Sequence, residues 1–214
     1  MIRFTLLASL AIALPLAAQQ PAAAKPAAVP ALPDGWQLRL DRANANAAAI
    51  KFSTMAPGWH VTAGPSAIYW TPQTSATGTH EIRASIVQMR PTEHLEGLGV
   101  FFGGSNLGTD DQRYTYFLVR QDGKYTIKHR AGKEVHTIVD WTASPAVKVP
   151  QGQGEATNAL TVRVGADSVQ FLVNDQRVNA FPRSVMAADV EGQAGLRINH
   201  NLDVHVTKIE VLRI

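Results

Sequence analysis

Residues 160–178 read Leu-Thr-Val-Arg-Val-Gly-Ala-Asp-Ser-Val-Gln-Phe-Leu-Val-Asn-Asp-Gln-Arg-Val. Apolar and polar residues alternate through Leu160–Val164 and again through Val169–Val173, on either side of Gly165-Ala166-Asp167. Alternation with a period of two around a short Gly/Asp segment predicts an antiparallel hairpin with one buried face. Asn174-Asp175 predicts a second tight turn, because both residue types tolerate a positive φ. The stretch predicts a sheet with its inner face toward a core.

Short alternating segments recur along the rest of the chain. The predicted strands outside the central hairpin are Trp36–Leu40, Ile50–Thr54, Trp59–Thr62, Ala67–Trp70, His80–Arg90, Gly97–Gly104, Tyr114–Arg120, Lys124–Arg130, Glu134–Trp141, Gly195–Ile198 and Val204–Ile214. Ala43–Ala49 is compatible with a helical turn, whereas Pro72–Gly78 and Phe181–Glu191 are predicted as loops. About a dozen short strands without a long amphipathic helix predict an all-β, antiparallel sandwich or jelly roll.

Composition limits the classes of function. The chain has 214 residues, of which 45% are hydrophobic, so one domain can bury a sizeable core. The formal net charge of +3 is small, and the basic residues are scattered along the chain. Both observations argue against nucleic acid as a partner. There is no cysteine, so the predicted domain is held by its core without disulfides.

The N-terminal region predicts export. Met1–Ala18 has a basic start at Arg3, an apolar centre and small residues at its end, the pattern of a cleaved secretory signal peptide. Gln19–Pro33 consists mostly of Ala and Pro and predicts a disordered linker. We therefore expect a folded domain at residues 34–214, located in the periplasm or outside the cell, with no membrane span after cleavage.

Three sequence blocks resemble a known group of sandwiches. Asn158–Gly165, Val169–Asp175 and Gly192–Ile198 resemble the concanavalin A-like lectin/glucanase sandwiches, and within them the 3-keto-disaccharide hydrolase (family 16-like) domains of secreted bacterial proteins. The resemblance implies a concanavalin A-like jelly roll and a glycoside-processing activity. Two strands lack charged residues usual in that family, because Val100-Phe101-Phe102 ends in Gly103-Gly104 and Tyr114 is followed by Thr115.

The strongest candidate site is one face of a predicted hairpin. Asp122-Gly123 lies between two alternating strands, so pairing would place outward side chains of both on the same side. That face would carry Tyr114, Tyr116, Arg120, Lys128 and Arg130. Aromatic rings stack on the apolar faces of sugars, and arginine donates directional hydrogen bonds. We therefore expect an exposed groove in which Tyr116 stacks on a sugar; a plain solvent-facing sheet fits the pattern equally well.

Other candidate residues lie in loops. Glu93, His94 and Glu96, with Asn106 further along, form an alternative site at the rim, although exposed loop charges explain them too. Asp110-Asp111 could hold calcium, but no spaced oxygen-ligand motif is present, so we expect neither a metal nor another cofactor.

The function predicted first is an exported module that binds a glycan or another extracellular or envelope ligand without catalysis of its own. A glycoside-processing hydrolase and a structural or assembly protein are the alternatives. The Glu-x-Asp-x-x-Glu pattern of related glucanases does not occur in the sequence, which disfavours the hydrolase. The sequence does not indicate an oligomeric state.

Overall fold

The structure, a computed structural model, describes residues 31–185 and 190–214. The predicted signal peptide, most of the predicted linker and the middle of the predicted loop Phe181–Glu191 lie outside these ranges. In the described ranges no helix is long and apolar enough to cross a membrane.

The described residues form two antiparallel sheets of seven strands each, which confirms the all-β sandwich. Sheet A has the order β1-β4-β13-β6-β7-β8-β9, and sheet B has the order β12-β11-β10-β5-β14-β3-β2. The strands are β1 Gln37–Leu40, β2 Lys51–Thr54, β3 Trp59–Thr62, β4 Ala67–Ala76, β5 His80–Gln88, β6 Gly97–Ser105, β7 Arg113–Arg120, β8 Lys124–Ala131, β9 Glu134–Ala143, β10 Ala156–Val164, β11 Ser168–Val173, β12 Gln176–Pro182, β13 Gly192–Ile198 and β14 Asp203–Arg213. Ala47–Ala49 and Arg183–Val185 are single 3-10 turns.

The central hairpin forms as the sequence predicts. β10 and β11 pair with Val162 opposite Phe171, and both residues are fully buried between the sheets. The ring of Phe171 lies 5.9 Å from the Phe102 ring and 5.3 Å from the Phe117 ring, so sheet B packs on sheet A through aromatic contacts. The turn after β11 has φ angles of 50° at Asn174 and 64° at Asp175, as expected for these residue types.

Two predicted loops are wrong in part. β4 continues through Pro72–Gly78 as far as Ala76, and β12 extends into Phe181–Glu191 as far as Pro182. β1 pairs only with Ala67–Trp70, so the later part of β4 has a free edge that tolerates a proline. There the Thr74 hydroxyl donates a 2.6 Å hydrogen bond to Ala194 of β13.

A pair of asparagines fastens the long connection between β9 and β10. The Asn158 side chain accepts a hydrogen bond from the Lys148 N–H and donates one to the Lys148 carbonyl, both at 2.9 Å. Asn174 donates to the Ala146 carbonyl at 2.8 Å and to the Asn158 side chain at 3.0 Å. These bonds satisfy backbone groups of Ala146 and Lys148, so the connection is held against the central hairpin.

Candidate functional site on the outer face of sheet A

The predicted β7–β8 hairpin has the expected pairing. Tyr114 lies opposite Arg130, Tyr116 opposite Lys128 and Arg120 opposite Lys124. Phe117, Val119 and Ile127 of the same strands lie in the core between the sheets. Because neighbouring residues of a strand face opposite ways, the predicted site residues share the outer face of sheet A.

The prediction that Tyr116 is exposed is wrong. Tyr114 is 0% exposed and Tyr116 is 6% exposed. Both belong to a second apolar cluster, here called the outer cluster, whose other members are Ile68, Trp70, Phe101, Leu107 and Leu118, with Trp141 packed against them. Glycine makes room for these rings, since a Cβ atom at Gly195 would lie 2.5 Å from the Phe101 ring. Large side chains of neighbouring strands therefore cover one another.

Arg197 closes the outer cluster and was missed by the sequence analysis. Its guanidinium lies 4.6 Å from the centre of the Tyr116 ring and donates a 3.1 Å hydrogen bond to the Tyr114 hydroxyl. Only 7% of this arginine is exposed. The sequence did contain a signal for Arg197, which stands between Leu196 and Ile198. Because neighbouring residues of a strand face opposite ways, a strand that buries Leu196 and Ile198 in the core places Arg197 on the outer face.

Asp41 is the anionic partner of this arginine. Arg197 donates hydrogen bonds of 2.9 and 2.6 Å to the two Asp41 oxygens, and Arg130 Nη1 lies 3.4 Å from Oδ1. Burial alone would raise the pKa of Asp41, but the hydrogen bonds and charge of Arg197, with the charges of Arg130 and Arg42, lower it overall. Burial opposes the charged form of Arg197 as well, yet Tyr114, Asp41 and Tyr116 raise its pKa overall. The site therefore holds a fixed, ionised carboxylate.

A cleft of about 620 Å³ opens beside this carboxylate. We call it the Asp41 cleft, and it is lined by Leu38, Arg39, Leu40, Asp41, Ala43, Ala47, Asp110, Gln112, Arg130, Gly132 and Lys133. Both its volume and its mixture of aliphatic and polar side chains are typical of small-ligand pockets. Of the predicted site residues, Arg130 alone lines it, whereas Tyr114 and Tyr116 act behind it by holding Arg197.

A second cleft adjoins the first at Asp41. It has about 420 Å³ and is lined by Asp41, Arg42, Ala45, Pro65, Ser66 and His200. Asp41 lines both clefts, whereas Arg42 and Ala45 line the smaller cleft and Ala43 and Ala47 line the larger one. Asp41 is therefore the residue that the two clefts share.

Arg120 and Lys128 lie further along the same face. Arg120 donates two hydrogen bonds to Asp122, at 2.8 and 2.7 Å, and its guanidinium stacks 4.2 Å from the Trp141 ring centre. Lys128 is half-buried and forms no ion pair with any residue in the described ranges. Arg120 thus contacts other residues of the protein, whereas the Lys128 ammonium can bind a ligand.

The structure brings three of the predicted rim residues, Glu93, His94 and Glu96, together around a cleft of about 250 Å³, but not Asn106. Glu93, His94 and Glu96 lie in the loop before β6, whereas Asn106 follows the far end of that strand, about 30 Å away along an extended chain. Glu96 is buried and pairs with His200 at 3.0 Å.

Asp110, one of the two aspartates considered as calcium ligands, pairs with an arginine of the protein. Asp110 accepts a 2.8 Å hydrogen bond from Arg39. In the part of the chain that the structure describes, no group of three or more histidine, aspartate or glutamate residues has the geometry to hold a metal ion.

No protein-family profile matches the sequence, and no curated protein is similar to it. Solved structures do share its fold. Carbohydrate binding module CBM66 from Bacillus subtilis superposes with a TM-score of 0.58 at 12% identity, over 83% of this chain and 95% of that one. The Emp46p carbohydrate recognition domain, in its metal-free form, gives 0.55 at 13% identity, over 83% and 88%. A Bacillus subtilis protein of unknown function with a galectin-like fold gives 0.58 at 10% identity, over 84% and 90%. These likenesses confirm the concanavalin A-like fold class.

Proposed function

We propose that the chain is an exported carbohydrate-binding module that holds a glycan in the Asp41 cleft and has no catalytic activity of its own. The observation that carries the proposal is the Asp41 carboxylate, fixed by Arg197 and flanked by Arg130 at the edge of a pocket of ligand size. Two of the structural neighbours are named for carbohydrate binding or recognition, which supports the same class of ligand.

The chemistry of this arrangement suits adjacent sugar hydroxyls. One hydroxyl can donate to the Asp41 carboxylate while its neighbour accepts from the Arg130 guanidinium, and charge-assisted hydrogen bonds of this kind are strong and directional. Because Arg197 already holds Asp41 in place, little side-chain freedom is lost on binding. The apolar part of the lining, including Leu38 and Leu40, can contact the C–H groups of the ring.

The same geometry favours binding over hydrolysis. The Asp41 cleft contains two carboxylates, Asp41 and Asp110, and each is paired with an arginine. Glycoside hydrolysis requires one carboxyl group that carries a proton to the leaving oxygen. The lowered pKa of Asp41 disfavours that role for this residue.

The test compares two carboxylates that are each bound by two arginines. Glycan-array screening of the purified chain, followed by calorimetric titration of the best ligand, should show that Asp41→Asn loses at least about tenfold in affinity and Arg130→Lys about fivefold. Glu81 is the matched control, because Arg83 and Arg163 hold it on the outer face of sheet B, away from the cleft. Glu81→Gln should therefore bind like the parent. Unchanged affinity in folded Asp41→Asn and Arg130→Lys would exclude the Asp41 cleft as the site.

Export is a separate part of the proposal. It is supported by the charge and apolar pattern of Met1–Ala18, and cleavage after Ala18 would leave a chain that begins near Gln19. N-terminal sequencing of the protein from the envelope or the medium tests it. An intact Met1 on the mature protein would contradict it.

A further inference from the structure

The outer faces of the two sheets differ in the arrangement of their charged residues. On sheet B, Glu81 pairs with Arg83 and Arg163, Glu210 with Lys208 and Asp203 with Arg90, whereas in the described ranges Lys51 and Arg177 form no ion pair. On sheet A the outer face carries Arg39, Arg120, Lys124, Lys128, Arg130 and Arg197 with Lys133 in the following turn, against Asp41, Asp110 and Asp122. Sheet A therefore has a surplus of positive charge at the proposed binding site.

Part of this surplus follows one strand. Lys124, Lys128 and Arg130 lie on the outer face of β8, and Lys133 follows in the turn to β9; we call these four residues the cationic stripe. Lys124 to Arg130 spans about 20 Å at the rise of an extended strand. Arg130 and Lys133 also line the Asp41 cleft, so the stripe ends in the proposed site.

The carboxylates near the stripe do not neutralise it. Asp122 lies 3.6 Å from Lys124 but is already bound twice by Arg120, and Asp41 is shared between Arg130 and Arg197. Glu134 is exposed beside Lys133. Within the described ranges neither Lys128 nor Lys133 forms an ion pair.

The residues that pair with Lys128 and Arg130 are uncharged. On β7 these are Tyr114 and Tyr116, and on β9 they are Val135 and Thr137, which lie opposite Arg130 and Lys128. Lys124 lies opposite Arg120 and Ala143, so none of the residues paired with Lys124, Lys128 and Arg130 on the neighbouring strands is a carboxylate.

From this arrangement we infer that the ligand is an anionic polysaccharide, bearing carboxylate or sulfate groups at intervals, which lies along the cationic stripe with one sugar in the Asp41 cleft. The inference rests on the proposed function and adds the charge and the extended shape of the ligand. Lysine ammonium groups outside the cleft would bind the acidic groups of successive units, while Asp41 and Arg130 would bind hydroxyls of the sugar inside it.

The experiment uses matched charged and uncharged ligands. Oligogalacturonates of two to eight units and chondroitin sulfate hexasaccharide are the anionic probes, and fully methyl-esterified oligogalacturonate is the neutral probe with the same backbone. Affinity should increase with chain length for at least one anionic series, decrease with salt, and be at least about tenfold weaker for the methyl ester. The two anionic series distinguish carboxylate from sulfate recognition.

Variants then locate the contact. Lys124→Gln/Lys128→Gln removes two charges that lie outside the Asp41 cleft, and should weaken binding of the longer anionic probes about tenfold while the shortest probe changes little. Lys51→Gln/Lys148→Gln is the control, because it removes the same charge from exposed positions on β2 and in the β9–β10 connection. Equal losses in both double variants would mean that only net charge matters, and would overturn the inference.

The possible failures are distinguishable. Neutral glycan binding that is sensitive to Asp41→Asn but not to Lys124→Gln/Lys128→Gln would overturn the inference and leave the proposed function standing. Absence of binding to every neutral and anionic glycan would overturn both. Binding of duplex DNA or of phosphatidylglycerol vesicles as tight as that of the anionic glycans would show a general polyanion surface, and would also overturn the inference.

Discussion

The guanidinium of Arg197 covers the ring of Tyr116 at 4.6 Å, although the two residues lie on strands separated by β6. This contact stabilises a cation against an aromatic face and at the same time removes that face from any ligand. A sugar at this surface therefore meets the arginine and its partner Asp41 in place of an aromatic platform.

Tyr116 should act as a packing residue. Tyr116→Ala is expected to lower the free energy of unfolding by about 3–5 kcal/mol, because the ring is buried in the outer cluster and supports Arg197. Tyr116→Phe keeps the ring and should cost less than about 1 kcal/mol. Denaturant unfolding of both variants measures this. An Ala variant as stable as the parent would show that the ring is not part of the packed face.

Phe171 should be equally sensitive for a different reason. It is fully buried between the sheets and contacts the rings of Phe102 and Phe117, so Phe171→Ala should lower the free energy of unfolding by about 3–5 kcal/mol. Leu172→Ala on the opposite face of β11 is the control and should cost clearly less, since Leu172 is only half-buried. A loss below about 1 kcal/mol for Phe171→Ala would be incompatible with this core.

Asn158 should hold the connection between β9 and β10. Asn158→Ala leaves the Lys148 backbone groups without their partner, and we expect a loss of about 1–3 kcal/mol in unfolding free energy. Amide hydrogen exchange at Lys148 should become faster than in the parent. The exposed Asn44→Ala variant should change neither quantity. Unchanged exchange at Lys148 in Asn158→Ala would rule out this role.

The ion pair of Asp41 should make stability depend on pH. Its pKa in the folded protein lies below the reference value of 3.8, so its contribution is fully present above that value and is lost as the pH falls through the folded pKa. The difference in unfolding free energy between the parent and Asp41→Asn should therefore be largest above about pH 4 and should shrink toward about pH 2. Asp34→Asn, at an exposed position, is the control. A difference that is constant over this range would contradict the assigned pKa shift.

The alternation of residues in the sequence predicted most of the fold. Gly165-Ala166-Asp167 and Asp122-Gly123, with the alternating residues around them, predicted two hairpins with the observed pairing, and Asn174-Asp175 predicted the turn that follows β11, because turn chemistry and strand phase are local properties. The sequence missed the second half of β4, where a bulged pairing with β13 keeps a proline-containing segment in the sheet. Such pairing depends on a strand more than a hundred residues away.

The sequence by itself determined which side chains of β7 and β8 share a face, since a period of two fixes orientation once Phe117 and Ile127 are buried. Only the tertiary structure decided that this face is covered at its centre and open at Asp41. Arg197 comes from β13 and Asp41 from the segment after β1, and the order of strands in sheet A brings them to Tyr114 and Tyr116. Contacts between residues so far apart in the chain depend on strand order, which local patterns of hydrophobicity do not encode.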